Sequence, residues 1–311
     1  MEVSKPGRIL SVDALRGFDM LLISGGAEFL VRMNGISGLS WVDQLANQMT
    51  HPAWNGFTFY DFIFPLFLFI SGVSLAFSVT KSTDLGLQKA NIYRKAFRRM
   101  IILIVLGIIY KNAPLPLFEP SQIRLGSVLG RIGIATFFTT LLVVNYHWQQ
   151  RLIWVGGILL AYFAAVLLIP VPGYGAGDLS FEGNLVGWFD RTFLPGRLRQ
   201  GTYDELGLLT QAPALCLTVL GAWAGEILSF GSHNKKLAYL CGIGIIGVLI
   251  GLAWGQIFPI NKHLWSSSFI LLTAGMSFLF LAGFYWVIDV KGYTKWAFFF
   301  KVIGMNSLLV Y

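Results

Sequence analysis

Charged side chains are scarce in this sequence. Asp, Glu, Lys and Arg make up 12% of its 311 residues, whereas hydrophobic residues make up 55%. Soluble domains carry about 25% charged residues. This balance excludes an ordinary soluble domain and indicates a chain that crosses a membrane several times.

Cysteine and histidine are also rare, with two and four copies. Cys216 and Cys241 both lie in apolar runs, where a free thiol behaves as a small buried hydrophobe. No two histidines have the spacing that metal ligands need. The sequence therefore predicts no metal site.

The net charge of +8 does not indicate a nucleic-acid partner. The basic residues cluster in short segments between apolar runs, where the positive-inside rule requires them next to a lipid bilayer. The densest cluster comprises Lys81, Lys89, Arg94, Lys95, Arg98 and Arg99. It predicts a cytoplasmic N-terminus and places the segment that carries His51 on the outer side.

Apolar runs of roughly 20 residues predict an all-α polytopic membrane bundle with about nine spans. We interpret residues 1–311 as a single transmembrane domain. The ninth run is still apolar at Tyr311, so we expect the natural chain to continue. The outer segment 171–206 is either an ordinary connector or a lid over a carbohydrate. The predicted spans lie near 13–33, 57–80, 99–112, 126–145, 152–170, 207–230, 237–257, 266–288 and 296–311.

Charges inside predicted spans are functional candidates, because an unpaired ion in lipid is costly. Asp13, Arg16 and Asp19 recur every third residue at the predicted cytoplasmic end of the first span. They form either an anchoring ion-pair cluster or a site where Arg16 binds an anionic ligand and the aspartates orient it. Asp61 and Arg131 fall at similar predicted depths in the second and fourth spans, and we expect them to pair.

The stretch HPAWNGFTFYD, residues 51–61, concentrates polar groups just before an apolar run. Imidazole exchanges a proton near neutral pH, so His51 is the candidate general base. A base needs an orienting carboxylate, and Glu28, Asp43 and Asp61 all remain candidates.

Two motifs resemble known families. SVDALRGFDM is similar to the DxLRG opening of the membrane acyltransferase superfamily. HPAWNGFTFYDFIFP resembles the H-x-x-W-N-G-x-T-x-x-D-x-x-F-P motif of the heparan-α-glucosaminide N-acetyltransferase family, and SVLGRIGIATFF and GMNSLLVY follow in the same order. The family's asparagine ahead of the histidine has no clean counterpart here, with Asn34 and Asn47 as candidates.

The resemblance implies acetyl transfer from cytosolic acetyl-CoA, a co-substrate and not a tightly bound cofactor, to an amino sugar across the membrane. It implies a bacterial-type enzyme of the cytoplasmic (inner) membrane, and leaves a homodimer open. His51 would be catalytic. The acceptor would contact Trp54, Asn55, Thr58, Asp61 and Glu28, and the donor would contact Arg16, Asp13 and Arg131.

In such a reaction the base would deprotonate the attacking amine, and a donor such as Asn55, Trp54 or Arg131 would stabilise the oxyanion. Direct attack and an acetyl-histidine intermediate both remain open. Two other functions also remain as alternatives. These are an O-acyltransferase of a surface glycan and a transporter for a sugar or glycan.

Overall fold

The computed structural model describes residues 9–36, 38–114 and 119–306, and the regular secondary structure of this part is helical. The first apolar run forms α1 (Leu10–Leu21), a π-helical turn (Leu22–Gly26) and α2 (Ala27–Arg32). Gly25 adopts a φ of 134° within this turn, a conformation that side chains with a Cβ rarely adopt. The run is therefore kinked at Gly25 and is not one straight span.

The remaining helices follow along the chain. They are α3 (Ser40–Gln48), α4 (Phe59–Asp84), α5 (Lys89–Lys111), α6 (Val128–Asn145), α7 (Trp148–Leu168), α8 (Leu185–Phe193), α9 (Gln211–Ser229), α10 (His233–Trp254), α11 (Ser267–Tyr285), continued by a π-helical turn to Val290, and α12 (Ala297–Met305). We call the two ends of the bundle the His51 end, where α4 begins, and the Asp84 end, where it finishes.

Within the described ranges, six helices are long and apolar enough to cross a membrane: α4, α6, α7, α9, α10 and α11 with its π-helical turn. The all-α prediction is confirmed, and six of the nine predicted spans meet these criteria. Helix α5 begins at Lys89, ten residues before the predicted span at 99, because its basic first half is helical too. The ninth run forms α12 over nine residues and then leaves the described part of the chain.

Helix α4 lies at the centre of the bundle, against α1, α6, α9 and α11. Helices α4 and α9 approach each other closely because a glycine of each helix faces the backbone of the other. A Cβ on Gly72 would lie 2.0 Å from the Thr218 carbonyl oxygen, and one on Gly221 would lie 2.0 Å from that of Phe69. Small residues allow helix backbones to approach in this way inside a bilayer. The functional side chains of α4 are therefore held on a closely packed helix.

Segment 171–206 folds onto the His51 end. Asn184 caps α8 by accepting a hydrogen bond from the Gly187 N–H (2.7 Å). Asp204 forms a buried two-point ion pair with Arg124, at 2.6 and 2.7 Å. A buried pair of this kind fixes geometry strongly, because removing one partner strands the other charge. The segment is thus anchored to the bundle.

Candidate active site

The start of α4 positions the first functional group. Thr58 is the N-cap residue of α4, and Asp61, at N3, completes a capping box with it. The Thr58 N–H donates to Asp61 Oδ2 at 3.1 Å. Such reciprocal bonds satisfy backbone donors at a helix start. Thr58 and one oxygen of Asp61 therefore cap the helix. The sequence analysis had assigned both residues to acceptor binding.

The other oxygen of Asp61 contacts the histidine. His51 Nδ1 lies 2.6 Å from Asp61 Oδ1. The Asp61 side chain is fully buried, whereas that of His51 is 33% exposed. The imidazole also stacks on Tyr60, with 4.8 Å between ring centroids. If Nδ1–H donates to the carboxylate, Nε2 carries the lone pair that a general base requires.

Among the three carboxylates considered, Asp61 is the one bonded to His51. Glu28 forms an exposed ion pair with Arg32 at 2.8 Å. Asp43 Oδ1 accepts a hydrogen bond from the Gly35 N–H at 2.8 Å. Glu28 thus pairs with a surface arginine and not with His51.

The expected pair between Asp61 and Arg131 is wrong. The buried Arg131 guanidinium donates to the Thr210 hydroxyl and lies 4.4 Å from the Trp265 ring centroid. Trp265 in turn packs edge-on against Phe64 of α4, at 5.5 Å. Asp61 and Arg131 do lie near the expected ends of α4 and α6. Asp61, however, faces the His51 loop, and Arg131 contacts the indole ring of Trp265.

Trp54 and Asn55 both make contacts at the His51 end of the bundle. The Trp54 indole N–H donates to the Leu179 carbonyl at 2.9 Å, so its hydrogen is committed there and not to an oxyanion. The ring stacks on His263 at 5.3 Å with an interplanar angle of 12°. Asn55 is exposed, and its Oδ1 accepts from the Asn261 side chain at 3.0 Å.

His263, which sequence reasoning had passed over, belongs to this cluster. Its Nδ1 lies 2.8 Å from the Tyr203 hydroxyl and 3.3 Å from Glu205 Oε1. Burial by itself would raise the pKa of Glu205, but the His263 hydrogen bond and the charges of Arg199, Lys262 and His263 bring that pKa down to about 2. Burial also raises the pKa of Tyr203.

A further residue next to His51 comes from a distant loop. Lys262, between α10 and α11, places Nζ 3.1 Å from His51 Nε2 and 3.5 Å from Asp61 Oδ1. No sequence motif indicated this lysine, because 211 residues separate it from His51. The docking of two loops brings the two residues together.

Arg16 of α1 contacts α4 farther towards the Asp84 end, beside Ser74. Its guanidinium contacts Asp13 (3.4 Å) and the Ser74 hydroxyl. A cavity of about 170 Å³ is lined by Arg16, Phe67, Ser71, Ser74, Arg99 and Ile132. Asp13 and Arg16 therefore pair as predicted, and Arg99 of α5 lines the same cavity as Arg16.

A larger apolar cavity adjoins this one. It measures about 340 Å³, and its lining includes Phe64, Phe67 and Ile132 together with Lys95, Arg98 and Arg99. Phe67, Arg99 and Ile132 line both cavities. The sequence analysis had interpreted the basic residues of α5 only as signals of membrane orientation. Arg131 does not line either cavity, which separates it from Arg16.

The two sites share α4. Asp61 and Ser74 are thirteen residues apart, which corresponds to about 20 Å along an α-helix. Phe64, one turn from Asp61, lines the larger cavity. Among the described residues, no group of three or more His, Cys, Asp or Glu side chains could hold a metal ion.

Fold and site together define an integral membrane protein of bundled helices, with a histidine–carboxylate pair at one end and arginine-lined cavities towards the other. The chain belongs to the heparan-α-glucosaminide N-acetyltransferase family. The family description "Heparan-alpha-glucosaminide N-acetyltransferase, catalytic" matches residues 8–203.

Two curated relatives are similar over nearly the whole chain. The chain is 30% identical to heparan-alpha-glucosaminide N-acetyltransferase of Homo sapiens, over 98% of this chain and 52% of that protein. It is 29% identical to the Mus musculus protein of the same name, over 99% of this chain and 53% of that protein. The chain thus spans about half the length of these relatives.

Proposed function

We propose that this protein transfers the acetyl group of acetyl-CoA to the amino group of a glucosamine-type sugar across the cytoplasmic membrane of a bacterium. Residues 1–311 act as one acyltransferase domain. The observation that carries the proposal is the placement of the His51–Asp61 pair and the Arg16–Arg99 cavity along one helix, α4. The names of the two curated relatives support the choice of donor and acceptor class.

The donor binds from the Asp84 end, which we place in the cytoplasm. The phosphates of CoA are anionic, and arginine binds phosphate oxygens with two parallel N–H donors. Arg16 and Arg99 line one cavity, and Arg98 and Lys95 line its neighbour. Asp13 holds Arg16 at 3.4 Å. The acyl group is carried on a long flexible arm, which the apolar cavity towards Phe64 suits.

The acceptor binds at the His51 end. Its neutral amine attacks the thioester carbonyl, and His51 Nε2 takes the proton that the amine loses. Asp61 stabilises the resulting imidazolium through Nδ1, as the 2.6 Å contact supports. The proton then passes to the thiolate as the C–S bond breaks, giving the CoA thiol. Holding amine and thioester together removes much of the entropic barrier.

The oxyanion needs a hydrogen-bond donor near the reacting carbonyl. Asn55 is our candidate, because it is exposed beside His51 and its Oδ1 bond to Asn261 orients the amide. Trp54 serves as a wall of the acceptor site through its stack on His263. An acetyl-histidine intermediate would use the same Nε2 as nucleophile.

The test is transfer of label. Membranes containing the protein are incubated with acetyl-CoA labelled in the acetyl group and a panel of sugars, with His51→Ala membranes as the matched control. Label on the nitrogen of glucosamine-type sugars supports the proposal. Label on hydroxyl groups would favour the O-acyltransferase, and uptake of unmodified sugar without label would favour the transporter. Either result would overturn N-acetyl transfer.

A further inference from the structure

The loop between α10 and α11, residues 259–266, forms the second wall of the histidine site. The Gly56 N–H donates to the Ile260 carbonyl at 3.0 Å. Asn261 bonds Asn55 at 3.0 Å, and His263 stacks on Trp54. Three contacts, made by the consecutive residues Trp54, Asn55 and Gly56, therefore dock this loop onto the His51 loop.

The docked loop is itself rigid. Asn261 Oδ1 accepts from the Leu264 N–H at 2.9 Å, and the Asn261 N–H donates to the Ser266 hydroxyl at 3.1 Å. Asn261 and Ser266 are fully buried. Lys262, which follows Asn261, is consequently delivered to a defined position.

Lys262 Nζ lies 3.1 Å from His51 Nε2, 3.3 Å from His51 Nδ1 and 3.5 Å from Asp61 Oδ1. The Lys262 side chain is only 11% exposed. Asp61, at 2.6 Å, is the acceptor for Nδ1–H. Because Nζ is almost equally far from the two ring nitrogens, the ammonium group lies against the face of the imidazole and not along the Nε2 lone pair.

We infer that Lys262 is a positioning residue whose ammonium group, held against the His51 ring, opposes protonation of the imidazole. The inference rests on the proposed acetyl transfer and adds to it a residue that sets the protonation of the base. A cation at hydrogen-bond distance disfavours the imidazolium. It also favours a rapid return of the proton once His51 has taken it.

The proton balance of the step is complete. The amine nitrogen forms a bond to the carbonyl carbon, and the C–S bond breaks. One amine proton moves to Nε2 and then to the thiolate sulfur. Lys262 keeps its own three protons throughout, so it changes the energy of the imidazolium without supplying or consuming a proton.

Other titratable and charged groups also lie near His51 and Lys262. Asp61 and Tyr60 contact His51 from α4. Burial lowers the pKa of Lys262, while the carboxylates of Asp61 and Glu205 act against that shift and Arg199 adds to it. Asp61 therefore stabilises both cationic forms, and Lys262 is the nearby group that opposes the protonation of His51.

The test compares Lys262→Met, which removes the charge, with Lys262→Arg, which keeps it. Without the cation the imidazolium persists to higher pH, so the acid limb of the kcat profile should move up by about one pH unit in Lys262→Met. We expect kcat to fall a few-fold at neutral pH and by up to about tenfold at lower pH, while the KM for acetyl-CoA changes little. Lys262→Arg should restore most of the profile. Lys235→Met, at an exposed position in α10, is the matched control.

A second readout needs no turnover. The chain has four histidines, so ¹⁵N-labelled imidazole signals can be followed against pH in detergent, and His51→Gln identifies the His51 signal. That signal should titrate at higher pH in Lys262→Met than in the wild type. An unchanged titration in Lys262→Met, or the same shift in Lys262→Arg, would overturn the inference. If the wild type fails to transfer acetyl, the proposed function fails while this titration still tests Lys262.

Discussion

His51 Nδ1 and Asp61 Oδ1 are 2.6 Å apart, and the second oxygen of the same carboxylate caps α4 through the Thr58 N–H. One buried aspartate thus fixes the start of the helix and the orientation of the imidazole. The histidine lies in a loop, yet its ring is held by a helix that packs against four others of the bundle.

His51→Ala should reduce acetyl transfer by about 10²–10⁴-fold, the usual contribution of a general base. Acetyl-CoA binding should be nearly unchanged, because the arginine-lined cavity lies about 20 Å away along α4. Initial rates and donor titration on the purified protein measure the two effects. His147→Ala, at the exposed start of α7, is the control. Near-normal turnover of His51→Ala would contradict the assignment.

Asp61→Asn and Thr58→Ala separate orientation from capping. Both changes disturb the capping box, and loss of an N-cap costs about 1 kcal/mol. Only Asp61→Asn removes the anion that supports the imidazolium. We therefore expect kcat to fall by about 10²-fold in Asp61→Asn and to stay near normal in Thr58→Ala. Equal loss of kcat in the two variants would mean that Asp61 acts only through the helix start.

Sequence reasoning could predict the part of the site that lies within one local stretch. The stretch from His51 to Asp61 indicated the candidate base, whereas the choice of Asp61 over Glu28 and Asp43 as its partner came from the structure. Sequence reasoning could not predict Lys262, because its approach depends on how the 259–266 loop docks. It paired Asp61 with Arg131 because depth along a helix is readable from sequence, whereas the direction in which a side chain points between helices is not.

Arg99 illustrates a different limit. A basic residue at the edge of an apolar run is required for membrane orientation, so sequence alone does not distinguish that role from ligand binding. The cavity shared with Arg16 provides the distinction. The kink at Gly25 likewise interrupts a run that composition predicts as one span.

Arg99→Ala and Arg16→Ala should each raise the KM for acetyl-CoA more than that for the acceptor. A charge-assisted hydrogen bond contributes about 1.5–3 kcal/mol, or roughly 10- to 100-fold in donor affinity. Because the two residues line one cavity, the double variant should lose less than the sum of the single losses. Arg94→Ala, exposed on the same helix and absent from the lining of both cavities, should bind normally. A normal donor KM in Arg99→Ala would return this arginine to an orientation role alone.

Asp190 should make stability depend on pH. Burial raises its pKa to about 6, although backbone N–H groups of Asp204 and Leu208 each donate to it at 3.1 Å. An unfolded aspartate has a pKa of about 3.9. Between these values the folded protein holds a proton that the unfolded chain has released, so the free energy of unfolding falls as pH rises from about 4 to 6.

The wild type should therefore unfold at a lower temperature at pH 7 than at pH 5, because the free energy of unfolding falls by about 1–1.5 kcal/mol over that interval. Asp190→Asn should remove this difference, whereas Glu182→Gln, exposed in the same segment, should keep it. Thermal unfolding in detergent at a series of pH values provides the measurement. A wild type and an Asp190→Asn variant with parallel pH profiles would exclude Asp190 as the cause.

Transfer across a membrane requires that the ends of α4 face opposite sides. Helix α4 has 26 residues, or about 39 Å, enough to cross a bilayer core of about 30 Å. Ala53, ahead of α4, and Thr83, in its last turn, are both exposed. Single cysteines at these positions, in a background lacking Cys216 and Cys241, report their accessibility to an impermeant thiol reagent on intact cells. With the N-terminus in the cytoplasm, Ala53→Cys should label, and Thr83→Cys should label only after the cells are opened. The reverse pattern would invert the proposed orientation, and labelling of both on intact cells would show that α4 does not separate two compartments.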